Sequence, residues 1–459
     1  MRSWLLICLS ACLYASSFIA IDYLWWLSLL CFVPLFYAAC SKTLSFKEGF
    51  IWGYIALGIN LSGVFYSIFY LADNPSWQIG LLLCLALCYL ALQTGLWFWI
   101  SHLLVQALST HNYQTLGIWL LSTWAYTLYI DYYCLWPFNA PEGLVLLNPL
   151  VPLIKIPSLL IPLSYLGMPI FVFLFLFFQA CIAGCIYFYT HKTQKAVTLS
   201  TALLILIIIS MFGLSMSILN WHAKARTAIP AWLDNVAILP EAFYNPTNIQ
   251  HTINQVTQAL KKLLKDKPQA TVILMPESAL FLCDLSAHEQ LLGAWNKESL
   301  GKSITIITGG ITYQQGNSYN TAYLISNGTI QDFFKKRHSM VLTENIASWL
   351  NFNFVQSCFY TQRPPITPST QSRTLFKINA ELAFVPYICS ELFFNNHPDD
   401  NFNNAPIIAL CNDTWVIPKY IKKLMYHTAH FRSLQWNRPI IYVAYDYAYY
   451  FDKTIHKAL

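Results

Sequence analysis

The distribution of charge along the chain constrains its fold more than any other feature. From Trp4 to Leu219 charged side chains are few and fall mostly in short gaps between apolar runs, whereas Lys, Arg, Asp and Glu become frequent after Ala223. Only 10% of the 459 residues are charged and 56% are apolar, against about 25% charged in ordinary soluble domains. Such a chain is expected to be a membrane protein with a water-soluble half, divided near residue 222: a transmembrane domain over 1–222 and a soluble domain over 223–459. The net charge of +6 is dispersed, with no basic tract interleaved with aromatics, so no nucleic-acid partner is expected.

Seven apolar segments are long enough, or nearly so, to cross a bilayer, at about 3–20, 22–40, 49–72, 79–107, 116–131, 166–189 and 197–219. Arg2 ahead of the first run also fits a signal peptide, although a second apolar run follows almost at once. With the N-terminus in the cytoplasm, Arg2, Lys42, Lys47, Lys192 and Lys195 lie inside and only Lys155 lies in an outside loop, as positive-inside orientation prefers; Lys224 and Arg226 run against it. Seven crossings then put the soluble half outside the cytoplasm, which in a Gram-negative cell is the periplasm, beyond the inner membrane. Between Tyr132 and Tyr165, Pro137, Pro141, Pro149, Pro152, Pro157 and Pro162 break an otherwise apolar stretch. Its backbone cannot face lipid, so it belongs at the interface, against protein, or along a lipid entry path.

In the soluble half, short apolar runs alternate with helical patterns. Strands are expected over Asn235–Pro240, Ala270–Met275, Ser303–Gly310, Thr321–Ile325, Val385–Ile388 and Ala405–Leu410, and helices over Asn248–Lys265 and Tyr420–Leu434, with a turn at Asn327-Gly328. This alternation predicts an α/β sheet sandwiched by helices. Three runs end in reactive side chains: Val385 to Ile388 runs into Cys389, Ala270 to Pro276 into Glu277, and Ile330 to Lys335 into Lys336. Carboxyl ends of strands are where side chains converge in α/β sheets, and a thiol needs a base or a cation beside it to act as a nucleophile. Glu277, Lys336 and Cys389 are thus candidate base, cation and nucleophile. Singly, each also has a structural reading: a buried small hydrophobe, a Pro-Glu-Ser turn and a solvated basic cluster. Between Ser339 and Pro368 the pattern loosens into a loop carrying Trp349, Leu350, Phe352 and Phe354, which reads as a lid touching membrane or as a packed loop.

The 13 cysteines form no metal pattern. Cys84/Cys88 and Cys181/Cys185 are helical pairs in apolar segments, and Cys283 and Cys358 are candidates for a disulfide only in an oxidising compartment. His427 and His430 have no third ligand and are expected on a surface helix. Neither metal nor cofactor is expected.

Met275-Pro276-Glu277-Ser278-Ala279, Tyr319-Asn320-Thr321, Lys336 with Glu344 eight residues on, Cys389-Ser390-Glu391 and Asn412-Asp413-Thr414-Trp415 occur in that order. This ordered set resembles apolipoprotein N-acyltransferase, a membrane-anchored family of the nitrilase (carbon-nitrogen hydrolase) superfamily, and the resemblance extends over nearly the whole chain. It implies a multi-helix membrane domain followed by a nitrilase-like αββα sandwich, with Glu277 as general base, Lys336 as catalytic lysine and Cys389 as nucleophile. Glu344 and Glu391 match two further acidic positions associated with activity, and Arg438-Pro439 resembles a pair after the late helix. The implied reaction takes an acyl chain from a membrane phospholipid, through a thioester, to the amine of a diacylglyceryl-cysteine lipoprotein. The chain departs from the family in its Met340-Val341-Leu342-Thr343-Glu344 loop, which lacks a Pro and a Gly, and in Pro240, Ser390 and Gln435. It also reaches Leu459 without an eighth apolar segment. Two other readings therefore stand beside acyl transfer: a nitrilase-like protein of a conjugal-transfer or assembly system, and a membrane-tethered amidase.

Overall fold

The computed structural model describes residues 2–40, 44–71, 76–134, 143–191, 197–198, 201–208, 210, 213, 229–240, 248–277, 279–280, 284–340, 343–345, 353, 355–356, 365–394, 402, 405–452 and 455–459. The chain forms two compact units. The first comprises Met1–Trp136, Pro141–Lys224 and Val416–Gln435, and the second Pro137–Ala140, Ala225–Trp415 and Trp436–Leu459.

Among the described residues of the first unit, four segments are long and apolar enough to cross a membrane: Ile21–Ala39, Phe46–Leu71, Trp77–Leu108 and Leu163–Thr190. Ser3–Ile19 is a shorter apolar helix, and Asn112–Tyr132 is helical where 116–131 is expected to be. Of the expected seventh segment only scattered residues are described, 201–208 among them as helix. Ile21–Ala39 is not one continuous helix. A 3-10 turn over Trp25–Leu29 separates Ile21–Leu24 from Val33–Ala39, and the latter opens at Pro34, where a missing N–H costs no helical hydrogen bond. Aromatic side chains fill the middle of the unit: Trp97 stacks on Tyr126 at 4.2 Å and meets Trp52 edge-on at 5.8 Å. On the Trp77–Leu108 helix, Leu81, Leu85, Leu92, Leu96 and Leu103 are exposed, an outward apolar stripe that suits hydrocarbon and not water. The described part of the Pro-broken stretch forms short turns at Val145–Leu147, Val151–Lys155 and Pro157–Leu160. Val145, Leu150, Val151 and Leu160 are buried in the same core, so these turns lie against protein.

The helix Lys419–Trp436 is predicted correctly as a helix, but all of it except Trp436 folds as part of the first unit. Leu424, Phe431 and Leu434 enter that unit's core. Tyr420 accepts the backbone N–H of Gly63 on its hydroxyl at 2.8 Å, and Ile417 donates its N–H to Ser67 at 3.1 Å. A β-carbon at residue 63 would collide with the Tyr420 ring, so only glycine permits this approach. Asp22 pairs with Lys155 at 2.5 Å and also with Lys423, while His427 Nε2 lies 3.6 Å from it. His427 and His430, expected on the surface, are both buried, because the face they occupy packs within this unit.

The second unit contains two mixed sheets. One has five strands in the order β1 (Val236–Ile238), β2 (Val272–Leu274), β3 (Thr305–Gln314), β4 (Asn317–Ser326) and β5 (Thr329–Lys335). The first three are parallel, and β3, β4 and β5 are antiparallel hairpins. The parallel β1–β2 pair needs a crossover, supplied by the helix Ile249–Asp266. Its apolar face, Ile253, Val256, Leu260 and Leu264, packs with Ala237, Ile273 and Ile306 of the sheet. The other sheet runs β11 (Ile455–Ala458), β10 (Ala448–Asp452), β9 (Ile440–Val443), β8 (Ile407–Leu410), β7 (Ala383–Ile388) and β6 (Phe376–Lys377), with β7, β8 and β9 parallel. The strand β4 of one sheet lies against β7 of the other. The expected strands and the Asn327-Gly328 turn are found, both turn residues at positive φ.

Candidate active site

All three candidate catalytic residues lie just beyond the ends of strands in the second unit. β2 is a fully buried Val-Ile-Leu run whose pairing with β3 persists to the Gly309 N–H, which donates to Pro276 O at 3.3 Å. Gly309 sits so close to Glu277 that an added β-carbon would overlap the glutamate's carbonyl, so glycine is required there for the glutamate to hold its position. The Glu277 carboxylate accepts three hydrogen bonds: from Asn320 Nδ2 at 2.7 Å, Lys336 Nζ at 3.1 Å and the backbone N–H of Asn412 at 2.8 Å.

Lys336 follows β5, its N–H donating to Asn320 O at 2.8 Å and its carbonyl accepting from Ser369 N at 2.9 Å. Its side chain is 1% exposed. Besides Glu277 it meets Glu344 at 2.8 Å. The basic cluster here is not solvated: Lys335 turns to the other face, buried over the Tyr319 ring at 4.3 Å. Glu344 also accepts from Asn320 Nδ2 at 2.9 Å and from the Met340 N–H at 2.7 Å. The Glu344 N–H in turn donates to Met340 O at 2.9 Å; Val341 and Leu342 lie outside the described residues.

Cys389 ends β7 and starts a 3-10 turn to Leu392. Its φ is +43°, a left-handed conformation costing a non-glycine residue about 1–2 kcal/mol and concentrated at functional sites. Parallel register pairs Ile388 with Leu410, so the next residues along, Cys389 and Cys411, emerge side by side. Both are buried free thiols. The Cys389 thiol is pushed well above its ordinary range by contact with Cys411 and then by burial and Glu277, while Lys336 pulls it down. Glu391 is fully buried and acts as a fastener. Oε1 accepts from Arg337 N at 2.9 Å, and Oε2 accepts from Ile388 N at 2.9 Å and faces Arg373 at 3.3 Å. Ser390 donates its hydroxyl to His338 O at 3.0 Å.

Burial drives the electrostatics. It raises the Glu277 pKa, only partly offset by Lys336, and Glu344 adds to the rise. For Lys336 burial acts downward, but Glu277 and then Glu344 overcome it and raise the ammonium above its ordinary range. Burial also pushes the His338 imidazole down to about 4. One cation thus faces two carboxylates, and contact with Cys411, then burial and Glu277, hold the Cys389 thiol above its ordinary range.

The five residues singled out in the sequence divide into two groups. Glu277, Lys336 and Glu344 form one hydrogen-bonded network, and Cys389 lies within electrostatic reach of Glu277 and Lys336. Glu391 stands apart from that network and fastens backbone. Asn320, which bridges both carboxylates, appears in the sequence only within a Tyr-Asn-Thr motif; in the structure it is half-buried on β4, where its carbonyl accepts the Lys336 N–H. Arg373 and Cys411 carry no such signal. Cys283, Cys358 and the loop bearing Trp349, Leu350, Phe352 and Phe354 lie outside the described residues. Among the described residues no three His, Cys, Asp or Glu side chains gather as a metal site.

No family model matches the sequence, and no curated protein matches it. Many solved structures are similar at low identity, these three among them. Glutamine-dependent NAD+ synthetase from Acinetobacter baumannii is 14% identical over 49% of this chain and 43% of its own, with a TM-score of 0.35. Nit3 of Saccharomyces cerevisiae, a member of branch 10 of the nitrilase superfamily, is 14% identical over 48% and 82%, with a TM-score of 0.33. XC1258 of Xanthomonas campestris, a CN-hydrolase superfamily protein, is 11% identical over 48% and 83%, with a TM-score of 0.32. The chain spans less than half the length of the NAD+ synthetase it matches.

Proposed function

We propose that this chain is a membrane-bound thiol acyltransferase that moves an acyl chain from a phospholipid to the N-terminal amine of a diacylglyceryl-cysteine lipoprotein. The observation that carries this reading is the buried network of Glu277, Lys336, Glu344 and Asn320 beside Cys389. Among the described residues, four segments are long and apolar enough to cross a membrane, which suits a reaction whose two substrates are lipids. We read the second unit as a nitrilase-like αββα sandwich, the chain as an inner-membrane protein with a domain boundary near residue 222, and its catalytic half as periplasmic. No cofactor enters the scheme.

Glu277 takes the proton of Cys389 as the thiolate attacks the acyl ester carbonyl. Lys336, held protonated by its carboxylates, stabilises the tetrahedral oxyanion. Collapse returns that proton to the departing glycerol oxygen and leaves a thioester with a lysophospholipid. The acceptor amine then attacks the thioester, Glu277 accepts the amine proton, and the thiol is regenerated with an amide as product. Nothing is oxidised or reduced.

The test uses detergent-purified protein, a phospholipid with a tagged acyl chain and a synthetic diacylglyceryl-cysteine peptide, with wild type and Cys389→Ala compared by mass spectrometry. Transfer of the tag to the peptide amine, absent in the variant, is the expected result. A tagged Cys389 that releases free fatty acid in place of amide would replace the amine with water as acceptor and make the protein a hydrolase. Folded wild type that acquires no tag at all would overturn the enzyme reading in favour of a structural role in an assembly system.

A further inference from the structure

We propose that Arg373 is a positioning residue that fixes Cys389 relative to Lys336, acting through Glu391 and the β7 backbone. This rests on the reading of Cys389 as the nucleophile. Arg373 lies outside any strand or helix, yet its side chain is buried. Its guanidinium lies over the Tyr387 ring at 3.6 Å and the Phe334 ring at 4.7 Å. Tyr387 stands two residues before Cys389, and Phe334 two before Lys336. One planar cation therefore sits between the strand that delivers the thiol and the strand that delivers the ammonium.

Its hydrogen bonds follow the same plan. Val385 donates its N–H to Pro406, toward β8, so the polar groups of residue 386 face the other edge of β7. There β6 has already ended, pairing only with Ala383 and Phe384. Proline at 386 leaves no N–H to satisfy, and Arg373 Nη1 donates to its carbonyl at 2.5 Å. The same nitrogen faces Glu391 Oε2 at 3.3 Å. Through its two oxygens Glu391 then holds Ile388 N, immediately before Cys389, and Arg337 N, immediately after Lys336. A buried ion pair contributes little to stability compared with apolar residues of the same volume. What this pair supplies is a fixed distance across two strand ends, and the left-handed Cys389 persists only where its surroundings over-determine it.

Arg373→Lys keeps the charge and loses the planar fork. Glu391→Gln keeps the shape but turns one backbone acceptor into a donor. Phe334→Leu removes one face of the stack and leaves every hydrogen bond in place. Each variant is screened for a cooperative melting transition in detergent. Cys389 alkylation by iodoacetamide is then followed across pH by peptide-resolved mass spectrometry, and acyl-enzyme formation is measured against phospholipid concentration. Loosening the thiol from Lys336 removes an interaction that favours the thiolate, so the alkylation midpoint is expected to rise by about one pH unit. The acyl-enzyme rate is expected to fall about 10-fold or more with the half-saturating lipid concentration unchanged. A lower melting temperature with wild-type alkylation midpoint and acylation rate in the folded variants would overturn the proposal and leave Arg373 a structural residue. Because alkylation needs no lipid, a shifted midpoint in a protein whose wild type forms no acyl-enzyme would refute the acyl-transfer reading while upholding the positioning role. Phe334→Leu, the mildest change, decides the matter if the other two do not fold.

Discussion

Glu277 and Asn412 sit at the ends of parallel strands in different sheets, and the backbone N–H of Asn412 donates to Glu277 Oε2 at 2.8 Å. A single carboxylate therefore joins the two sheets at the place where Cys389 emerges. Its second oxygen is shared by Asn320 and Lys336, so three of its roughly four lone-pair directions are set before substrate arrives and one remains for a proton.

Glu277→Gln keeps an oxygen for Asn412 but removes the proton acceptor. Acyl-enzyme formation is expected to fall by about 10²–10⁴-fold in protein that folds but melts at a lower temperature, because the new amide nitrogen faces donors and Lys336 loses one buried partner. Single-turnover mass spectrometry of the tagged Cys389 peptide measures it, and wild-type rates in this variant would exclude Glu277 as the base.

The acidic limb of the rate profile follows from the same carboxylate. Burial raises its pKa, and only the ionised form accepts a proton, so activity is lost on acidification at a pH above the ordinary glutamate value of about 4.3. The Asn320 hydrogen bond opposes that rise, and Asn320→Ala is expected to move the limb to higher pH still. A limb that stays in place would mean that another group sets it.

Cys411→Ala removes the neighbour that contributes most to raising the Cys389 thiol. The pH midpoint of Cys389 alkylation is expected to move down, making Cys389 more reactive at neutral pH than in wild type. An upward shift would show that the second thiol assists the first.

Left-handed backbone at Cys389 predicts an ordering of two variants that both lack the thiol. Cys389→Ala keeps the cost of about 1–2 kcal/mol, whereas Cys389→Gly removes it and gives back roughly half through chain entropy. The Gly variant is expected to melt at the higher temperature by differential scanning fluorimetry. The reverse order would mean that the backbone strain is absent.

Much of this site is legible in the sequence because three apolar runs stop at Glu277, Lys336 and Cys389, and buried strands deliver side chains at their ends. Glu344 is legible as a partner only through its spacing from Lys336. Arg373 is not, because a loop arginine has no periodicity and its partners are set by strands that pair at a distance along the chain. The two histidines of Lys419–Trp436 mislead for a related reason. Polar side chains on a short helix read as a solvated face, whereas here Asp22 gives His427 a charged neighbour inside the first unit. Alternation of strand and helix likewise predicts that helix as a layer of the α/β half, while Tyr420, Leu424 and Phe431 assign it elsewhere.

That assignment bears on how the chain can be handled. Between β8 and β9 the polypeptide leaves the second unit and contributes a helix to the first, so no single cut yields two self-sufficient pieces. Residues 225–459 expressed alone would present Leu424, Phe431 and Leu434 to water with nothing to cover them, and residues 1–224 would carry the matching gap. Split expression is therefore expected to succeed only when both fragments are made together, as complementation of one fold by two chains.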